Sequence, residues 1–365
     1  MITLVFTVAV LGAIGAALAA VLVLAERYVS DYGECTVDIN NGTRVITARG
    51  GKPLLGTLVE QKLFIPSACG GRGTCGYCKV KVLEGAGPLL PTEEPFLSKE
   101  ERAAGVRLSC QCKLRAPMKI EIPEELLSVR EFTCVVEHIK PLTHDIREFR
   151  FKLLDPPEIS YIPGQYMQVF TPKYAKSDEE VYRAYSISSD PRDRTAIELV
   201  IRLVPGGICT TYCFDYLKPG DSVRLNGPYG EFRLSSTSAP MVMIAGGSGM
   251  APIKCLLHQM QNEGITRPAR YFFGANYVRE LFYLDELRHF EQVLPNFTFT
   301  PVVAKPESEW HGETGWVTEA VDRNYADLSS HEAYLCGSPG MIDAAIKVLT
   351  NHGMPEANIF YDKFS

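Results

Sequence analysis

Three cysteines crowd into the stretch Ser67-Ala68-Cys69-Gly70-Gly71-Arg72-Gly73-Thr74-Cys75-Gly76-Tyr77-Cys78, and a fourth, Cys110, follows further along the chain. The spacing C-x5-C-x2-C is one residue longer than the C-x4-C-x2-C run of plant-type iron-sulfur loops. A [2Fe-2S] cluster needs four thiolates around one small rhomb, so a loop that supplies three of them must double back on itself. Gly70, Gly71, Gly73 and Gly76 give the loop that freedom, because glycine takes positive φ and leaves backbone N–H groups room beside the sulfides. The competing reading is a structural zinc on Cys75, Cys78, Cys110 and Cys112. Zinc ribbons space paired ligands two to four residues apart, and Cys110-Gln111-Cys112 is tighter than that. The loop therefore reads as a [2Fe-2S] site on Cys69, Cys75, Cys78 and Cys110, with Cys112 a bystander, buried or on the rim.

At the amino terminus, Ile2 to Ala25 run without a single charge before Glu26 and Arg27. At 1.5 Å per residue such a helix crosses a hydrocarbon layer of about 30 Å with some tilt. A secretory signal would want a basic leader and a shorter apolar stretch, so residues 1–28 read as a transmembrane anchor. Gly12, Ala16 and Ala20 lie four apart on one helical face, the small-xxx-small pattern that lets another membrane helix approach; it is also common in membrane helices at large. The anchor has no ionisable side chain and cannot itself conduct an ion. Eleven cysteines, an odd number in a long chain with metal spacing, fit a reducing compartment. The expected location is the inner (cell) membrane, single-pass, with the soluble domains facing the cytoplasm. A formal net charge of −6 with interspersed signs excludes nucleic acid as a partner.

The 365 residues suggest two to three globular domains. Residues 33–127 alternate in the β manner around the cysteine loop, as in Cys35 to Ile39, Lys79 to Leu83 and Met118 to Ile122, with a helical stretch from Pro53 to Gln61; this reads as a β-grasp ferredoxin domain. Residues 128–235 carry short strands such as Tyr166 to Phe170, Ile197 to Val204 and Ser222 to Leu225 between Pro and Gly turns, which argues an antiparallel β-barrel. From 236 to 365 strands alternate with helical segments, as in Met241 to Ala245, Ala251 to Glu263, Ala269 to Phe273, Leu281 to Phe290, Tyr334 to Cys336 and Met341 to His352. That is the βαβ order of a Rossmann-like parallel-sheet domain. The fold class is thus multidomain, α+β and α/β, behind a membrane helix.

Within the barrel, Arg183-Ala184-Tyr185-Ser186 places a guanidinium, a phenol ring and a hydroxyl on one strand. Such a set suits a flavin, with Arg183 on the pyrophosphate, Tyr185 stacked on the ring and Ser186 near N5. Gly206, Gly207 and Thr210 sit where a helix start offers N–H and hydroxyl donors to phosphates. The run Met243-Ile244-Ala245-Gly246-Gly247-Ser248-Gly249-Met250-Ala251-Pro252 joins an apolar strand to a helix through a glycine turn; Gly246, Gly247 and Gly249 let amides approach a dinucleotide pyrophosphate, and Pro252 suits the first helical turn. Tyr334-Leu335-Cys336-Gly337-Ser338-Pro339 repeats strand, turn and helix. Cys336 is placed at a strand end facing the crevice, or is simply a small buried thiol. Phe364, beside the carboxyl terminus, could cover a flavin face.

With these residues in hand, Arg183-Ala184-Tyr185-Ser186, Gly227-Pro228-Tyr229-Gly230-Glu231-Phe232, the turn from Gly246 to Pro252 and Cys336-Gly337-Ser338-Pro339 resemble the ferredoxin-NADP reductase superfamily. With an iron-sulfur domain in front, the order resembles the electron-input reductases of bacterial oxygenases. The uncharged leading helix, the cysteine spacing and the Asp362-Lys363-Phe364 ending make the whole chain similar to the F-subunit family of Na+-translocating NADH:quinone reductases. The link from Phe170 to Arg183 is shorter than that family's flavin domain would carry. The resemblance implies FAD, one [2Fe-2S] cluster and NADH, electrons reaching quinone indirectly, and membrane subunits of a respiratory complex as partners through the N-terminal helix. Gly274-Ala275-Asn276 lacks a basic cluster for a 2′-phosphate, which favours NADH over NADPH. Two other readings stay open: a membrane-tethered reductase serving an oxygenase or other acceptor protein, and a redox-sensing iron-sulfur module.

Overall fold

The computed structural model describes residues 12–19, 21, 32–67, 69–127 and 129–364. Residues 12–19 and 21 are helical and exposed, and among the described residues no helix is long and apolar enough to cross a membrane. Most of the expected anchor lies outside the described residues. Two compact units follow: Gly71–Ser128 with the chain up to Ser67, and Val129–Ser365 with Ala68–Gly70.

The first unit contains β1 (Glu34–Ile39), β2 (Arg44–Arg49), α1 (Leu54–Glu60), β3 (Lys79–Glu84), α2 (Lys99–Ala103), β4 (Val106–Leu108) and β5 (Met118–Glu121). Its five strands lie in the order β2-β1-β5-β3-β4, with β1 parallel to β5 and the other neighbours antiparallel. The β1–β2 hairpin turns through Asn40, Asn41 and Gly42, all at positive φ, which Asn and Gly tolerate best. Alternation sends Val37, Ile39, Val80, Val82, Met118 and Ile120 inward, and α1 lays Leu54, Leu55 and Leu58 over them. Ser98 and Glu101 form a reciprocal capping box at the start of α2, a contribution of about 1 kcal/mol.

The second unit opens with β6 (Arg130–Pro141), β7 (Ile146–Asp155), β8 (Tyr166–Thr171), β9 (Val181–Ser186), β10 (Ala196–Arg202), α3 (Ile208–Asp215) and β11 (Ser222–Tyr229). Six antiparallel strands run β10-β7-β6-β11-β8-β9. The sheet curls until Ile187, one residue past β9, bridges Leu199 of β10, and Phe149, Phe151, Ile197, Leu199 and Ile201 fill the inside. A barrel was the expectation, and curling with this bridge is how the chain protects its edge strands.

The chain then alternates through β12 (Met241–Gly246), α4 (Met250–Glu263), β13 (Ala269–Ala275), α5 (Leu284–Val293), β14 (Phe297–Val303), β15 (Glu313–Thr314), α6 (Val317–Asn324), β16 (Glu332–Gly337), α7 (Pro339–Asn351) and β17 (Ile359–Lys363). The strands form one parallel sheet, β15-β14-β13-β12-β16-β17. Strand β12 shows why it is buried on both faces: Met241, Met243 and Ala245 pack with α4 and α5, while Val242 and Ile244 pack with α6 and α7. Gly264, at φ +65°, ends α4 in a left-handed cap. The helix expected from Leu281 starts instead at Leu284, because Leu281 is extended and Tyr283 takes φ +56°. Leu281 and Phe282 are buried there in the parallel-sheet core, and packing overrides local propensity.

Candidate functional site

Of the four cysteines of the expected cluster, Cys69, Cys78 and Cys110 are buried and Cys75 is half-buried. Gly70, Gly71, Gly73 and Gly76 all sit at positive φ, between +66° and +84°. A side chain at Gly76 would come within 2.9 Å of the Phe96 ring, and one at Gly73 within 2.6 Å of the Gln111 amide. The loop is further tied by the Gly71 amide, which donates to Ser67 Oγ at 3.0 Å. The structure brings the thiols of Cys78 and Cys110 into hydrogen-bond contact, and that contact together with burial pushes the Cys78 thiol up. Two thiols pressed together resist ionisation, which iron would reverse by binding both as thiolates. Among the described residues no three His, Cys, Asp or Glu side chains converge on one ion. A [2Fe-2S] cluster asks instead for a pair of donors per iron, and the juxtaposed, buried Cys78 and Cys110 fit that demand. Cys112 is buried in the apolar core of the first unit, its thiol pushed up to about 12 by that burial.

Sequence reasoning missed the group that braces this loop. Arg107 is buried with Glu93, Nη2 to Oε2 at 2.6 Å and Nε to Oε1 at 3.0 Å, and donates also to the carbonyls of Gly87 and Pro88. Glu93 in turn accepts from the Leu108 amide at 2.9 Å. Burial alone would raise the Glu93 carboxyl, but the Arg107 fork holds it below the ordinary carboxylate range. The pair thus pins residues 86–93 to β4, whose end leads into Cys110. Nothing in the local pattern around Glu93 marks this, since the partners are far apart in sequence.

On β9, Arg183, Tyr185 and Ser186 lie in register with Val169, Met167 and Tyr166 of β8. The Tyr185 hydroxyl and Thr171 Oγ1 are fully enclosed, and both lie at the thiol of Cys209 on α3. A strand bearing a guanidinium, a phenol ring and a hydroxyl fits a flavin. At the start of α3 the structure corrects one detail. The Thr210 hydroxyl is spent on the backbone of Val204, at 3.1 Å to its N–H and 3.3 Å to its carbonyl, and the Gly207 amide donates to the same carbonyl. Thr210 therefore closes the turn, and the first-turn amides after Gly207 are what remain for an anion. Gly206 takes φ +73° and opens that turn.

The glycine turn expected to hold a dinucleotide lies between β12 and α4. Gly247 has φ +55°. A Cβ on Gly249 would meet the Cys336 carbonyl at 2.2 Å, so glycine is required where the turns after β12 and β16 touch. Gly337, at φ +147°, faces Gly246 across this contact, with Met341 against both. Pro252 is buried in the first turn of α4. Cys336 is fully buried at the end of β16, and burial pushes its thiol well up.

Strand β17 was unforeseen and supplies a further residue. Its Asp362 pairs with Cys336 in the sheet register, and Ser186 Oγ donates to Asp362 Oδ2 at 3.3 Å. Burial pushes the Asp362 carboxyl up to about 6, the Ser186 bond pulling the other way. Phe364 follows, its amide donating to the Gly337 carbonyl at 2.9 Å. The structure so gathers Ser186 of the curled sheet with Cys336, Asp362 and Phe364 of the parallel sheet. Asp362 stood in the terminal run of the sequence, but no residue-level signal gave it a role, because its partner is far away in the chain.

Residues 37–115 match the 2Fe-2S iron-sulfur cluster binding domain, 133–234 the oxidoreductase FAD-binding domain and 243–347 the oxidoreductase NAD-binding domain. Among solved structures, the Amycolatopsis cytochrome P450 reductase GcoB superposes with a TM-score of 0.74 at 27% identity, over 90% of this chain and 98% of that one. The ferredoxin reductase of carbazole 1,9a-dioxygenase shares the fold, with a TM-score of 0.69 at 24% identity over 91% and 99%. Fold and site together define an iron-sulfur flavoprotein reductase that binds FAD, a [2Fe-2S] cluster and a nicotinamide dinucleotide. At full length the chain is 34% identical to the F subunit of the Na(+)-translocating NADH-quinone reductase of Actinobacillus succinogenes, covering 99% of this chain and 98% of that one, and 34% identical to that of Pseudomonas aeruginosa over 98% and 97%. The chain belongs to the family of these F subunits.

Proposed function

We propose that this chain oxidises NADH as the electron-input subunit of a Na+-translocating NADH:quinone reductase, anchored to the inner membrane by residues 1–28 with its domains in the cytoplasm. FAD held by Arg183, Tyr185 and the α3 amides would supply a hydride acceptor able to release electrons singly, and a [2Fe-2S] cluster held by the four cysteines would supply one-electron transfer toward a membrane acceptor. The observation that carries the reading is the meeting of Ser186 with Asp362, beside Cys336, where the curled and parallel sheets of one compact unit adjoin. Ser186, oriented by its bond to Asp362, would offer its hydroxyl to the flavin. Cys336 shapes the nicotinamide side, the amides of the Gly246–Gly249 turn take the dinucleotide pyrophosphate, and Arg183 with the α3 amides balances the charge of the flavin's pyrophosphate. Cys69, Cys75, Cys78 and Cys110 hold the cluster. The Gly12, Ala16 and Ala20 face of the anchor suits packing against membrane subunits.

Two measurements test this. Purified full-length protein should oxidise NADH with ferricyanide as acceptor; a negligible rate with both prosthetic groups loaded would leave a redox sensor as the better reading. Isolated from native membranes in mild detergent, the chain should copurify with several polytopic proteins. Recovery alone would favour the second reading, a tethered reductase for another acceptor protein, which the likeness to GcoB supports.

A further inference from the structure

Helix α4 does two things at once. Its amino end follows the glycine turn, while Lys254, in its second turn and only 6% exposed at the side chain, reaches into carboxylates from the curled sheet. Lys254 Nζ lies 3.2 Å from Glu198 Oε2 on β10, 3.5 Å from Glu286 Oε1 on α5 and 3.8 Å from Glu148 Oε2 on β7. It also sits 4.7 Å over the ring of Tyr283, whose hydroxyl donates to Glu148. One and two turns on, His258 Nε2 stands 3.5 Å from Glu286 Oε1, and Asn262 donates to Asp190 at 2.7 Å. Residues 254, 258 and 262 share one helix face by their spacing of four.

The same helix is docked by apolar contact. Cys255 is buried within the core of the curled sheet, and Ile146 and Val200 of that sheet are buried within the core of the nucleotide sheet. Apolar contact is non-directional and tolerates sliding, whereas a charge held between carboxylates on two elements fixes register. Glu198 has Arg150 Nη1 at 2.8 Å and Glu148 has His138 Nε2 at 3.3 Å, but Lys254 is the cation placed between all three glutamates. Burial would discharge the ammonium, and Glu198, Glu286 and Glu148 keep it charged.

We propose that Lys254 is a positioning residue for hydride transfer: by fixing α4 against β7 and β10 it sets where the Gly246–Gly249 turn holds the dinucleotide pyrophosphate, and so how the nicotinamide end meets the flavin. The inference rests on the function proposed above. A small displacement of bound reactants costs on the order of 10- to 100-fold in rate while leaving binding nearly intact. The test is rapid-mixing measurement of flavin reduction by NADH in the full chain loaded with FAD. Lys254→Met should lower the limiting rate about 10- to 100-fold with the NADH half-saturation changed less than about threefold. Lys254→Arg should restore most of the rate. Without nucleotide, amide hydrogen exchange along α4 and β10 should quicken in Lys254→Met and recover in Lys254→Arg. A folded Lys254→Met protein with a limiting rate within about twofold of the parent overturns the proposal. If Lys254→Met does not fold, Glu286→Gln, whose carboxylate is partly exposed, should lower the limiting rate several-fold at unchanged half-saturation, and an unchanged rate is equally fatal. A parent protein that NADH does not reduce would overturn the functional reading instead.

Discussion

Asp362 is the residue whose chemistry most depends on its surroundings. Its carboxyl is held up to about 6, against about 4 for a free aspartate, because burial disfavours the charge. Raised in the fold, it binds a proton that the unfolded chain does not, so its contribution to stability is fully present below pH ~4 and is lost as pH rises through ~6. The size is about 3 kcal/mol. Asp362→Asn should flatten that portion of the pH–stability curve, measured as thermal midpoints from pH 4 to 7. It should also remove an ionisation near pH 6 from the pH profile of flavin reduction; a profile unchanged by the substitution would mean Asp362 does not govern Ser186. Ser186→Ala should slow flavin reduction by about 10- to 100-fold, checked by rapid mixing. In the iron-sulfur domain, Cys69→Ala should abolish the cluster's visible absorbance while NADH still reduces the flavin. Arg107→Met strands a buried Glu93 carboxylate, and should cost roughly 3–5 kcal/mol of that domain's stability and with it cluster retention, followed by iron content and chemical denaturation.

At the scale of elements, the turn between β12 and α4 makes a sharper demand than any side chain. Gly249 lies so close to the Cys336 carbonyl that no Cβ fits without moving backbone. Gly249→Ala should weaken NADH binding by at least about tenfold while FAD absorbance is retained, a split that titration with each ligand would reveal. This turn and the cysteine loop were legible in the sequence, because both use local signals: apolar strand, glycine run, helix-compatible proline, fixed cysteine spacing. Strand β17 was not, being five residues at the chain's end with no alternation to mark it. The Thr210 hydroxyl reads in the sequence as a donor to phosphates because its capture by Val204 is a matter of turn geometry. Leu281 to Tyr283 carried helical periodicity and still stayed out of the helix, Leu281 extended and Tyr283 left-handed, since packing at the α5 entry outweighed it. Long-range polar partners, Arg107 with Glu93 and Ser186 with Asp362, leave no trace in a window of residues and were legible only once the sheets had formed.

For the whole molecule, the order of cysteine loop, curled sheet and parallel sheet matches three domain families in succession, and the full-length likeness places the chain among the F subunits of Na(+)-translocating NADH-quinone reductases. The alignment with the Actinobacillus succinogenes protein runs over 405 positions against 365 residues here, so that relative carries segments this chain lacks. The short link after Phe170 is where sequence reasoning expects one. The central claim is that one polypeptide houses an organic and an inorganic redox centre that NADH can fill in turn. The most direct test is the anaerobic absorbance spectrum of the full-length protein, loaded with FAD, iron and sulfide, before and after NADH. The account predicts overlapping flavin and cluster bands, the flavin bleaching first and the cluster following. A preparation that binds both groups yet shows no spectral change with NADH, or that bleaches the flavin alone and leaves the cluster oxidised, would contradict it.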